Sequence, residues 1–422
     1  MGRTLRLVGL GFIVVIFSTL RFWLSSQPHF FKVCDTGSAP RLATSFTLHG
    51  NDYSRCPTDR DFYRALASGG SLKKSGGFVF INVGFNKGYN FANWMAFFVP
   101  GSSMSGDGWH RSLLGWAQKN DVELKVSCGS CDDCRSASEM YSSNNASAAS
   151  NPATYEFVGV DMNVENIRLV QGAWELARAE GLLGQASELK LITAAVGAQT
   201  GSMRRPRCGL GSELCHIPTD NESGRVEYEG NMTVTTVDAV VDSLPRPADG
   251  GDVVVDFLLI DAEGHDPAVL AGARRLLSSG RARCVVFEYH RVGLWARTSL
   301  ADVVSKLDTF GYSCFLQGQR RLWPVTPSDG CWDDKWDFRD HANVLCVSRQ
   351  DRDRAWRRAL EQFVVLRPGL VAWTEGGQGR NGLGDVGRGG VWGQGQGQGQ
   401  GQGHNKPFLL KLAHDRQVVR GA

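Results

Sequence analysis

Apolar residues along this chain gather in short unbroken runs, and between the runs they recur at intervals of three and four. The runs are 78–83, 155–160, 189–196, 253–260, 282–287, 312–316 and 343–347. Runs of that length without polar alternation are buried strands, and the intervals of three and four are the stripes of helices packed on them. Ile167, Val170, Trp174 and Ala177 make one such stripe, and a second helix passes through Asn93, Trp94 and Met95. Pro267 opens a third over 268–278, at the position where proline is best tolerated. Thr or Asp capping in Thr236-Val237-Asp238 starts a short helix, with Asp238 structural, and another helix covers 299–310. The pattern is α/β, seven strands with helices between them.

One domain, over 77–350, carries this pattern. It is interrupted by two polar insertions, 101–152, read as a long ordered loop, and 197–234, read as exposed. Ahead of it, residues 7–24 are apolar except for Arg21 and follow Arg3 and Arg6, with no small-residue cleavage site behind them. That is the layout of an uncleaved signal anchor, near the minimum length of a spanning helix. The charge ahead of it holds residues 1–6 in the cytosol and sends the body to the lumen of the Golgi or endoplasmic reticulum, with 25–76 as a stem. After 350 the composition shifts, and the Gly-Gln repeat within 393–403 marks 351–422 as a low-complexity, disordered tail.

Hydrophobic residues form 42% of the 422, ample for a core, while 46 basic against 43 acidic side chains leave a charge of +3, too little to make nucleic acid a partner. Eleven cysteines and sequons at Asn145, Asn221 and Asn231 agree with an oxidising, glycosylating lumen. Cys284, Cys314 and Cys346 lie inside apolar runs and read as buried free thiols. Cys34, Cys56, Cys128, Cys131, Cys134, Cys208, Cys215 and Cys331 lie in loops, where all eight can pair. Cys128, Cys131 and Cys134 have the spacing of metal thiolates, but no fourth cysteine or nearby histidine completes a set. A disulfide cluster is favoured, and no metal site is assigned.

Chemistry collects at the strand ends. Gly84 and Gly88 let the backbone turn sharply after the first strand and approach a ligand through main-chain N–H groups; the alternative is a purely structural turn. Asp161 ends the second strand, where an acid accepts both hydroxyls of a ribose or caps the next helix. Ala194 and Ala195 leave room for a flat ring. The buried run 253–260 empties into Asp261-Ala262-Glu263-Gly264-His265-Asp266, and the fifth strand into Glu288-Tyr289-His290. Both clusters stand on the carboxyl edge, where open α/β sheets bind ligands.

Asn82-x-Gly84-x-Asn86-x-Gly88-Tyr89, the Asp161 strand end, Ala194-Ala195-Val196-Gly197, Thr236-Val237-Asp238, Ile260-Asp261-Ala262-Glu263-Gly264-His265 and Glu288-Tyr289-His290 resemble, in order and spacing, the FkbM-type methyltransferases. The resemblance spans about 77–348. It implies a class I, Rossmann-like fold: a seven-stranded sheet, mostly parallel with one antiparallel strand, and helices on both faces. It implies S-adenosylmethionine as cofactor and O-methyl transfer to a sugar, glycan or other hydroxylated small molecule. Asn82, Gly84, Asn86 and Gly88 would face the methionine part, Asp161 the ribose, Ala195 the adenine, and Asp261 and Glu263 the reacting methyl.

Methyl transfer is an in-line displacement that needs a base at a hydroxyl acceptor, and the candidates are His290 and Glu263, with His265 behind them. Against that role, His290 reads as a hydrogen-bonded histidine at a strand end. The family carries an acid where this chain has Asn82, and Lys87 sets a positive charge beside a cationic cofactor. Those departures motivate an alternative, a methyltransferase-like binding module that has lost turnover. Another is a type II glycosyltransferase using Asp261 and Glu263 to hold Mn²⁺ and a nucleotide sugar.

Overall fold

A computed structural model describes residues 78–99, 101–124, 155–184, 187–212, 215–218, 226–247, 250–318 and 321–350, with the isolated positions 34, 39, 42, 43, 66, 360 and 362–364. The expected anchor at 7–24, nearly all of the stem, the cysteines from Cys128 to Cys134 and the glycine-rich tail lie outside the described residues. Among the described residues no helix is long and apolar enough to cross a membrane.

The chain begins with β1 (Phe78–Val83), α1 (Tyr89–Phe98), α2 (Gly106–Lys119), β2 (Tyr155–Asp161), α3 (Val164–Ala179) and β3 (Ser187–Thr193). A small excursion follows, of β4 (Ala195–Val196), β5 (Gly201–Pro206) and β6 (Tyr228–Thr235). Then come α4 (Val237–Asp242), β7 (Val255–Ile260), α5 (Asp266–Gly272), α6 (Arg274–Ser278) and β8 (Ala282–Tyr289). The chain closes with α7 (Leu300–Thr309), β9 (Tyr312–Gly318), β10 (Arg321–Pro324) and β11 (Ala342–Ser348).

The main sheet runs β10-β9-β11-β8-β7-β1-β2-β3. It has eight strands rather than the seven expected, and two of its strands break the parallel order. β11 lies antiparallel to both β8 and β9, and β10 folds back on β9 with Arg321 opposite Gly318. The extra strand is short and carries Pro324, which an edge tolerates because one side of its backbone has no ladder to feed. It still buries Leu322 and Trp323, and that burial holds the hairpin on the sheet.

Period-two alternation sends different chemistry to the two faces. Phe80, Phe157 and Phe257 stand in register on one face and pack with Trp94 of α1 and Trp174 of α3, giving an aromatic layer under α1, α2 and α3. Ile81, Val158, Leu258 and Val285 point the other way, into an aliphatic layer under α4, α5, α6 and α7. Helices therefore cover both faces.

Three expectations need correction. The insertion expected at 101–152 as a loop contains α2, because Ser105 caps it and Trp109, Leu113 and Ala117 recur at four-residue spacing on its buried side. The third run divides after Thr193: Ala195 and Val196 pair with β6 in a separate sheet of order β4-β6-β5, and β5 and β6 are mostly exposed, as expected of that insertion. Cys314 and Cys346 are not free. They sit directly opposite each other on β9 and β11 with Cα atoms 4.0 Å apart, and they form a disulfide. Antiparallel pairing brings facing side chains within bonding reach, which reading each strand alone does not reveal. Cys34 pairs with Cys331 and Cys208 with Cys215, while Cys284 is buried and outside the disulfides, as expected.

Candidate active site

β1 has β2 on one side and β7 on the other, so the chain's connections part at its carboxyl end and leave a crevice there. Gly84 shapes the floor. Its φ of 76° suits glycine, its N–H donates to the Val160 carbonyl at 2.8 Å, and a Cβ there would lie 1.8 Å from the Asp261 carbonyl oxygen. No other residue fits. Asn86 follows with φ 49°, a conformation asparagine accepts more readily than most side chains.

The loop is tied down by Asp161. One carboxylate oxygen accepts the Asn86 N–H at 2.9 Å and the Asn166 amide at 3.4 Å, and the other accepts the Asn163 N–H at 2.8 Å. Burial pushes this carboxyl up to about 6, against the pull of those three donors. The helix cap is not Asp161 but Asn163, whose Oδ1 accepts the Glu165 N–H at 3.0 Å.

The opposite wall comes from β7 and β8. Glu263 holds φ at 49° and Gly264 at 90°, a tight turn in which a Cβ on Gly264 would meet the Val292 carbonyl at 2.7 Å. Asp266 clamps this turn to β8: its two oxygens accept the Gly264 N–H and the Glu288 N–H, both at 3.2 Å. On β8, Glu288 stands between two imidazoles. His341 Nε2 meets one oxygen, and His290 Nε2 lies 3.4 Å from the other.

These groups perturb one another. Burial first, then the charges of Glu288, Glu263 and Asp266, hold Asp261 well above the usual carboxylate range. Burial and Glu288 push Glu263 up to about 7, with His290, His216 and His341 pulling the other way. Burial would raise Glu288 too, but the histidines at its two oxygens outweigh it and hold the group at about 2. The Glu288 bond in turn raises His341, while burial lowers His265.

A cleft between the walls is lined by Gly84, Asn86, Asp161, Ala195, Asp261 and Glu263, so most of the residues singled out in the sequence meet in one place. His265 lines it as well. Asn82, Gly88 and His290 do not. By strand alternation Asn82 shares the face of Phe78 and Phe80; it is fully buried, with neither amide atom paired. Gly88 starts α1 against Trp109 and Val170. His290 accepts the Val292 N–H on Nδ1 at 3.1 Å, and its Nε2 is buried 3.4 Å from Glu288, away from the cleft lining.

Sequence reading missed Asn166, Ser212, His216 and His341. Asn166 had a signal, one turn into the helix that follows Asp161. His341 had none, since it reaches Glu288 only because β11 pairs with β8, Ala342 opposite Tyr289.

Residues 178–314 match the family model described as the methyltransferase FkbM domain. Over that stretch the chain is similar to an FkbM methyltransferase domain, and the stretch includes the Asp261–Asp266 and Glu288–His290 wall. No curated protein matches the chain.

Proposed function

We propose that this chain is an S-adenosylmethionine-dependent O-methyltransferase whose acceptor is a hydroxyl of a glycan or other hydroxylated small molecule. The observation that carries the reading is the crevice at the end of β1, with Gly84, Asn86 and Asp161 on one wall and Asp261 and Glu263 on the other. The lining suits the cofactor. Asp161 keeps acceptor capacity for ribose hydroxyls beyond its three donors, and Ala194, Ala195 and Val196 form an apolar edge for a purine. Asn86 Oδ1 is a buried acceptor without a partner in the cleft wall, as an ammonium group would require. Lys87 is no obstacle, because its ammonium donates to the Gly211 carbonyl at 3.1 Å.

Bound there, the cofactor supplies a methyl group made electrophilic by the sulfonium. The chain must align a hydroxyl with it and take the proton. Glu263 is the base in this reading: it lines the cleft, sits on strained backbone and is held at about 7, where a general base serves at neutral pH. His290 is a positioning residue, since its Nδ1 accepts the Val292 N–H and its Nε2 is buried beside Glu288, outside the cleft lining. Burial raises the proton affinity of Glu263 most, and Glu288 behind it adds to the rise while His290 and His341 oppose it.

A luminal setting, with membrane attachment through 7–24, belongs to the same reading. Its support is the three disulfides among the described residues and the exposed Asn231 sequon on β6. Incubation with methyl-labelled S-adenosylmethionine and a panel of free glycans and glycosides tests it. S-adenosylhomocysteine release with a labelled O-methyl product is expected. Neither binding nor release by a folded sample would reject the reading, and binding without release across the panel would favour the module that has lost turnover.

A further inference from the structure

One boundary of the cleft belongs to neither wall of the main sheet. Ser212, Cys215, His216 and Ile217 lie across it, after β5, and a disulfide joins Cys208 to Cys215. This segment is fastened to the cofactor side by four bonds, each between an underlying side chain and the segment's own backbone. Asn86 Nδ2 donates to the Ser212 carbonyl at 3.3 Å, and Lys87 Nζ to the Gly211 carbonyl at 3.1 Å. Asn163 Nδ2 donates to the Gly209 carbonyl at 2.9 Å, and the Gly211 N–H donates to Asn166 Oδ1 at 2.9 Å. The residues that grip the segment are therefore the ones flanking Asp161 and the glycine loop.

We propose that residues 208–212 and 215–217 form a strap over the cofactor cleft whose seat depends on the Cys208–Cys215 bond, so that affinity for S-adenosylmethionine is redox-sensitive. This rests on the cofactor reading given above. Four individually weak bonds can hold a strap that is already closed on itself, but they must also overcome the chain entropy of one that is not. Cys208 and Cys215 are half-buried, whereas Cys34, Cys331, Cys314 and Cys346 are all buried, so a dithiol in solution reaches the strap first. Its reduction is a two-electron, two-proton step. The dithiol closes to its own disulfide, the Cys208–Cys215 bond breaks, and both cysteines become thiols.

Calorimetric titration of the full chain with S-adenosylhomocysteine tests this in the oxidised state, after mild dithiol treatment, and in the Cys208→Ser/Cys215→Ser double variant. Binding at least about tenfold weaker is expected after reduction and in the variant, with the variant insensitive to dithiol. Lys87→Met, which keeps the disulfide, should weaken binding a few-fold. Hydrogen exchange at 209–212 should quicken on reduction. Affinities within twofold of the oxidised wild type in all samples would overturn the strap. If the double variant does not fold, the reduced wild type, with its new thiols assigned by mass spectrometry, and Lys87→Met decide the matter. Tight oxidised binding that reduction leaves unchanged defeats the strap alone, whereas no binding by the oxidised chain defeats the cofactor reading and the strap together.

Discussion

On the β1–β2 side of the cleft the polar groups, Asn86 Oδ1 excepted, are joined to backbone or amide partners; on the β7–β8 side the polar groups face one another. Asp161 receives three donors, and Asn163 and Asn166 each serve the loop above them. Opposite, three carboxyls are pushed up, one is pulled to about 2, and an imidazole is raised by it. The first arrangement fixes a shape. The second fixes differences in proton affinity, which a binding surface has no use for and a proton transfer does. In the proposed reading, recognition belongs to the first wall and chemistry to the second.

Several substitutions would break that division, and Gly84→Ala should have the largest effect. The methyl group would collide with the Asp261 carbonyl on a backbone that favours glycine, so both walls shift. A loss of about 3 kcal/mol or more by chemical denaturation is expected, with no measurable S-adenosylhomocysteine binding. Glu263→Gln should separate the walls: transfer falls by roughly a hundredfold or more while cofactor affinity stays within about twofold. Equal loss of both would place Glu263 in recognition instead. Glu288→Gln removes the partner of His341, so the His341 titration followed by NMR should move down from its raised position, with transfer reduced by about tenfold.

pH sharpens the comparison further. Asp161 and Glu263 titrate higher in the folded chain than in the unfolded one, so each favours folding below the ordinary carboxylate range. That advantage is lost as pH rises through about 6 for Asp161 and about 7 for Glu263. Glu288 runs the other way: its contribution is present above the ordinary glutamate range and lost as pH falls toward about 2. Glu263→Gln should therefore raise the melting temperature more at pH 8 than at pH 5. The smallest effect is expected for His265→Ala, which removes no side-chain hydrogen bond from the helix cap and should change stability by less than about 1 kcal/mol. A large loss of transfer there would reinstate His265 as a base.

How much of this was legible in the chain follows from how local each signal is. β1, β2, β7 and β8 announce themselves as apolar runs, and the residues at their ends are adjacent in sequence, so Gly84, Asp161, Asp261 and Glu263 could be placed on one edge. Asn82 was misplaced because a motif read as a string ignores the alternation that turns every second strand residue to the opposite face. α2 was hidden by the Ser- and Gly-rich composition around it, although Trp109, Leu113 and Ala117 kept helical spacing. The Cys314–Cys346 bond and the His341–Glu288 contact depend on which strands become neighbours, and no single run carries that information.

The central claim is that the cleft between these walls is a cofactor site, and calorimetric titration of the full oxidised chain with S-adenosylhomocysteine tests it most directly, with Asp161→Ala beside it. Micromolar binding in the wild type, abolished in an Asp161→Ala sample whose circular dichroism is unchanged, is the predicted result. A folded wild type that takes no S-adenosylhomocysteine, but is stabilised by a nucleotide diphosphate only with Mn²⁺, would contradict the account and turn the Asp261–Glu263 wall into a metal-dependent sugar-transfer site.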